Sequence, residues 1–295
     1  MPIHRRTYRS YEGDIRRHFR WAIITAQDLR VLFKFRIFYL LLILAGFHLF
    51  FRVLQVVSYN IAMQEPNSMV AMLVREVNLL AVDGALFLGF LRIQWLLVFL
   101  AILFAGSGAI CNDVRNNLME VLFAKPLSWR DYALGKFMTL AGLGLALTLV
   151  PVLALILLHN LMAPSWDTLN ESVAWIWPSV ALSLLYVIPA ALAVLAASAL
   201  LPQQNYAGAC VVALVMLSGA MQRMVSALAE AEDRLWTGYY ALSLPTAINH
   251  LGERLFGQPL EYGLTAAQAL APVLAVTLAA GALYMWRVRR CEVLR

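Results

Sequence analysis

The sequence predicts an all-α polytopic membrane protein, with six transmembrane helices preceded by an amphipathic helix lying in the interface. Three observations predict it. Of 295 residues, 62% are hydrophobic and only 14% are charged, and the mean hydropathy is +0.72. A soluble domain is nearer half apolar and about a quarter charged, and a fold of this size has too little interior to hide the excess. The apolar residues are gathered into six long runs. Lys and Arg between those runs fall almost entirely on alternate connections. The whole chain, 1–295, therefore reads as a single transmembrane domain.

The first element is basic but patterned. Residues 1–36 hold nine Lys/Arg and three acids, too long and polar for the n-region of a cleaved signal. Within 12–36, Ile15, Phe19, Ala22, Ala26, Leu29 and Phe33 recur at steps of four and three, the spacing of one helix face. Such a helix is expected in the interface plane, with its apolar stripe in the lipid boundary. The alternative is a soluble helix packed on a partner.

The spans follow at 37–57, 88–110, 137–160, 173–200, 207–228 and 264–286. Each is near or above the roughly 20 residues that cross a bilayer as a helix. Pro151, Pro178, Pro189 and Pro272 lie in or beside these runs. Proline is tolerated there because neighbours re-satisfy the freed carbonyl. One set of alternate connections carries 17 Lys/Arg and the other three, which places both termini in the cytoplasm by the positive-inside rule. The net charge of +6 is read as affinity for an anionic leaflet and membrane lipids rather than for nucleic acid. Residues 229–263 mix charge with Trp236, Tyr239 and Tyr240, which suggests short interfacial helices or a dipping hairpin. Cys111, Cys210 and Cys291 are far apart, and no histidine accompanies them at metal-ligand spacing, so no metal site is indicated.

The most informative stretch joins spans two and three. Asp113 is a candidate helix N-cap. Leu118, Val121 and Leu122 share one face, with Arg115, Asn116 and Glu120 on others. Pro126 stops the helix, and Ser128 with Asp131 has the form of a capping box opening the next one. A short, bounded, amphipathic helix is expected, able to carry force as a rigid body. This stretch resembles the cytoplasmic coupling loop of ABC type-2 exporter permeases. Asp113, Glu120, Leu122, Pro126, Ser128, Tyr132, Leu134, Gly135 and Lys136 fit that pattern. Two positions depart: Asn117 stands where a glycine is usual, and Trp129 where an arginine is usual, with Arg130 next.

The resemblance implies the permease subunit of an ATP-driven exporter in a bacterial inner membrane. It implies a second permease copy and a separate ABC ATPase subunit that holds ATP and magnesium. It makes Asp113, Arg115, Leu118, Glu120, Val121, Leu122, Pro126, Ser128 and Arg130 the residues coupling to that subunit. The chain itself is then no enzyme and binds no cofactor: Gly135-Lys136 lacks the Ser or Thr and the leading glycine of a phosphate loop. The rivals are a secondary transporter, a channel and a structural scaffold. An ion-coupled carrier usually needs a carboxylate at membrane depth, and none of the six runs contains Asp or Glu. His48, Arg52 and Arg92 are the notable polar residues in the runs. They either snorkel to the interface or line a path for an anionic head group. Gly106-Ser107-Gly108 suggests packing rather than a serine nucleophile.

Overall fold

The computed structural model describes residues 19–64, 72, 81–124, 127–162, 173–231, 237–261 and 263–293, and shows helices but no strand among them. Helix α1 is Arg20–Leu32, α2 Arg36–Gln64 and α3 Gly84–Ser107. Two short helices, α4 (Cys111–Arg115) and α5 (Leu118–Phe123), lead into α6 (Trp129–Met162). Helices α7 (Ile176–Leu200) and α8 (Gln204–Ala231) precede a 3-10 turn, Thr237–Leu242. Helix α9 is Leu244–Leu255, and α10 (Ala266–Val293) closes the chain. Six of these helices are long and apolar enough to span a membrane, so the chain is an integral membrane protein.

The observed spans run past the apolar runs at several ends. Helix α2 continues to Gln64 and α6 begins at Trp129, eight residues before the run at 137. Polar flanks extend a helix freely once its backbone bonds leave the lipid, so hydropathy marks the apolar stretch rather than the helix end. Burial sorts the spans into two classes. In α3, α6 and α7 the most apolar window is 50%, 50% and 56% buried, against 11%, 11% and 17% in α2, α8 and α10. The first three are the packed centre, and the other three offer most of their surface outward.

The centre holds two layers of core. One joins Val98, Ile102, Leu140, Val187 and Val194 to Tyr132 and Tyr284. The other joins Phe87, Phe90, Leu155, Leu182 and Tyr186 to Ile248 and Leu251 of α9. Small residues let the helices close. A Cβ on Gly144 would meet Val187 Cγ1 at 2.7 Å, and one on Gly106 would meet Leu140 Cδ1 at 2.5 Å. Pro151 removes the amide that would bond the Leu147 carbonyl four residues earlier. The Gln94 side-chain amide donates to that carbonyl instead, at 2.9 Å. His48 Nδ1 then donates to Gln94 Oε1 at 2.9 Å, and its ring stacks on Phe90.

Helix α1 does not span. Its Trp21, Ile24, Thr25, Asp28, Leu29 and Leu32 face the bundle, buried or half-buried, while Phe19, Ile23, Ala26 and Phe33 are exposed. The stripe read from the sequence therefore lies largely outward, and a second face packs on α6. Residues 12–18, including Ile15, lie outside the described residues. The 229–263 segment forms short helices, as its composition suggests. Helix α9 is capped by Ser243, whose Oγ accepts from Thr246 N, and buries Ala247, Ile248, Leu251 and Gly252 against α3 and α7.

Candidate functional site

The site is built where α1, the 111–131 loop and the start of α6 meet. Lys136 is the organising residue. It lies one turn after Tyr132 on α6 and is buried, its side chain 7% exposed. Its Nζ is 2.9 Å from Asp113 Oδ2 and 3.1 Å from Asp28 Oδ1. Tyr132 donates its hydroxyl to the same Asp113 oxygen at 2.7 Å. One cation thus draws two carboxylates from two separate elements, α1 and α4, onto a spanning helix. Burial pushes the Asp28 carboxyl above its ordinary value, with Lys136 pulling the other way and Asp113 adding to the rise.

Backbone approach makes this geometry feasible. A Cβ on Gly135 would sit 2.8 Å from Ile24 Cβ and 2.9 Å from the Trp21 carbonyl, so α1 crosses α6 where α6 has no side chain. Thr25 fastens the crossing by donating to the Gly135 carbonyl at 2.9 Å. On the far side of α6, Tyr284 donates to the Ala133 carbonyl at 2.7 Å. The loop is anchored at its start as well: Ser198 Oγ, from the end of α7, accepts from Ile110 N and Cys111 N at 3.0 and 3.3 Å.

The loop departs from its sequence reading at its cap. Asp113 is not an N-cap: it sits inside α4 and turns its carboxylate to Lys136 and Tyr132, because a nearby buried ammonium is a stronger partner than backbone amides. The residue before α5 is Asn117, with φ 54 and ψ 23 and no side-chain cap bond. That left-handed conformation favours glycine and tolerates asparagine. The three apolar residues face largely outward, Leu118 and Val121 exposed and Leu122 half-buried. Met119 and Phe123 are the buried pair, Leu122 packs partly against them, and Leu118 and Val121 are 41% and 59% exposed. An isolated 3.6-residue pattern does not reveal which of two adjacent apolar stripes the bundle covers.

The capping box is as read. Ser128 Oγ donates to Asp131 Oδ2 at 2.8 Å, and Asp131 N donates back to Ser128 Oγ at 3.2 Å. Arg115, Glu120 and Arg130 are exposed on the outside of the loop, with the Arg130 guanidinium over the Trp129 ring. Pro126 lies outside the described residues. Beside the loop, Asn112, Arg115 and Asn116 face Gln203, Gln204 and Asn205 across a polar cleft of about 240 Å³, which Asn112 spans by donating to Gln204 Oε1.

His48 and Arg52 line one groove on α2, but Arg92 is not among its lining residues. His48 serves the Gln94 bond described above, and Arg52 Nη1 donates to Gln55 at 2.8 Å. Arg92 turns the other way, to Glu253 of α9 at 2.6 Å. Glu253 is buried, and its second oxygen accepts from Glu261 N at 3.1 Å. Arg92 is thus held by a carboxylate delivered by α9, while a third of its side chain stays exposed. No sequence signal marked Glu253 or Asp28 as a partner, since each comes from a segment outside the six apolar runs. Neither a protein-family model nor a curated protein sequence matches the chain.

Proposed function

We propose that this chain is the membrane subunit of an ATP-driven exporter of the ABC type-2 kind, moved by a separate ATPase subunit that docks on the 111–131 loop. One observation carries the reading. The loop is tied through Asp113 to Lys136 and through Lys136 to Asp28, so a push on α4 and α5 bears on a spanning helix and on α1 together. Leu118, Val121, Arg115 and Glu120 face outward on that rigid unit, a mixed apolar and charged surface suited to a protein partner. Asn117 keeps the turn that the family's usual glycine would make. In this reading both termini and the loop are cytoplasmic in a bacterial inner membrane, and ATP and magnesium belong to the partner. The exposed stripe Leu217, Met221, Met224 and Leu228 of α8 supports contact with a second permease copy.

The test is Glu120→Lys on the full chain. Reversing a charge in a docked interface costs about 2–5 kcal/mol. The variant should insert and purify as wild type but lose capture of the ATPase subunit and its stimulated hydrolysis. Equal capture and transport would remove Glu120 from coupling, and a wild type that captures no ATPase would overturn the exporter reading. An ion-coupled carrier is favoured by one observation, the buried Glu253 beside Arg92. That reading requires uptake or efflux driven by an ion gradient in vesicles without any ATPase, a result the exporter reading excludes.

A further inference from the structure

Along the outer face of α2, against α3, runs an open groove of about 520 Å³ lined by His48, Phe51, Arg52, Gln55, Ser58 and Ile93. Its chemistry is divided along its length. Gln55 and Ser58 stand toward the end of α2 at Gln64, while Phe51 and Ile93, each 52% exposed, form apolar walls. Arg52 joins the two parts. It lies five residues inside the end of the apolar run at Val57, about 8 Å at the rise of an α-helix, the depth at which arginine reaches a membrane's headgroup layer.

Arg52 differs from Lys136 and Arg92, the two basic residues that the spans pair with acids. Lys136 and Arg92 each meet a carboxylate. Among the described residues Arg52 meets only the neutral Gln55 oxygen, through one of its nitrogens. Arg52 Nη2 lies against α3 at Gly89, 3.7 Å from where a Cβ would stand. A guanidinium presents five donors in a planar fork that suits phosphate, and among the described residues only Nη1 of this fork meets an acceptor. An uncompensated cation in an apolar surface is costly unless an anion joins it.

We infer that the groove binds one anionic phospholipid, its phosphate on Arg52 and an acyl chain along Phe51 and Ile93. The site is independent of the exporter reading and needs no ATPase. Its occupant is a lipid rather than a free anion because the walls beyond Arg52 are apolar and open to the bilayer.

The experiment is native mass spectrometry of the full-length protein, purified in detergent and supplied with equal phosphatidylglycerol and phosphatidylcholine. Wild type should retain phosphatidylglycerol about tenfold over phosphatidylcholine, the ratio equivalent to about 1.4 kcal/mol. Arg52→Gln should lose that preference, and Arg52→Lys should keep part of it. Ile93→Trp, which fills the apolar wall at an exposed position, should lower phosphatidylglycerol retention with Arg52 intact, so the proposal does not hang on one variant. Millimolar inorganic phosphate should not displace the lipid. Equal retention of both lipids by wild type, an unchanged preference in Arg52→Gln, unchanged retention in Ile93→Trp, or displacement by phosphate alone would each overturn the assignment.

Discussion

Helices α1 and α9 do similar jobs at opposite ends of the bundle and do them differently. Neither is a span. Each delivers a carboxylate to a basic residue on a spanning helix, Asp28 to Lys136 and Glu253 to Arg92. Each also crosses its neighbour at a glycine, Gly135 of α6 under α1 and Gly252 within α9. The difference lies in what else shares the charge. Glu253 closes on Arg92 and on the backbone amide of Glu261, so α9 is fastened by contacts that involve no part of the loop. Lys136 is divided between Asp28 and Asp113, so α1 is held by a cation that also holds the loop. One end is a clasp, and the other is a junction that ties the loop to α1.

The largest expected effect tests the junction. Lys136→Met leaves two largely buried carboxylates without their cation, a change worth about 3–5 kcal/mol when a buried pair is broken. Thermal unfolding in detergent should show a large fall, and a drop no bigger than that of an exposed substitution would show that Lys136 holds nothing together. At the clasp, Glu253→Gln should cost less, about 1–3 kcal/mol, because Arg92 retains access to solvent at 34% exposure. Adding Arg92→Gln should recover most of that loss. A double-mutant cycle with no coupling between the two sites would dissolve the clasp.

The glycines sharpen the contrast. Gly135→Ala drives a methyl into the Trp21 carbonyl and Ile24 Cβ, atoms fixed to the α1 backbone, and overpacking of that kind costs about 1–3 kcal/mol. Gly252→Ala meets only the tips of Leu88 and Leu182. Those tips can move, and alanine adds helix preference of about 1 kcal/mol over glycine, so stability should hardly change. Comparing the two melting temperatures checks it, and equal losses would mean that α1 is no more rigidly seated than α9.

The smallest effect is in pH. Asp28 has its folded carboxyl raised above the ordinary 3.8, by burial first. A raised acid binds its proton more tightly in the folded state. Its stabilising contribution is therefore full below about pH 3.8 and declines as pH rises through the folded value. The stability of wild type relative to Asp28→Asn should fall across that window. A difference that is flat in pH would show that Asp28 is not buried beside Lys136 as described.

The sequence by itself determined the membrane class and the six apolar helices, because hydropathy over some twenty residues is a property each segment carries alone. The Ser128–Asp131 box was legible for a similar reason, since its partners are three residues apart. Tertiary structure decided the rest. Asp113 looked like a cap until Lys136, more than twenty residues later, proved the nearer partner. Glu253 and Asp28 carried no mark in the sequence until the fold set each beside a basic residue on a spanning helix. Arg92 looked unpartnered until α9 brought Glu253 to it. In each case the deciding partner is distant along the chain. A buried charge takes whichever opposite charge the packing brings within reach, and that choice is made only when the helices close on one another.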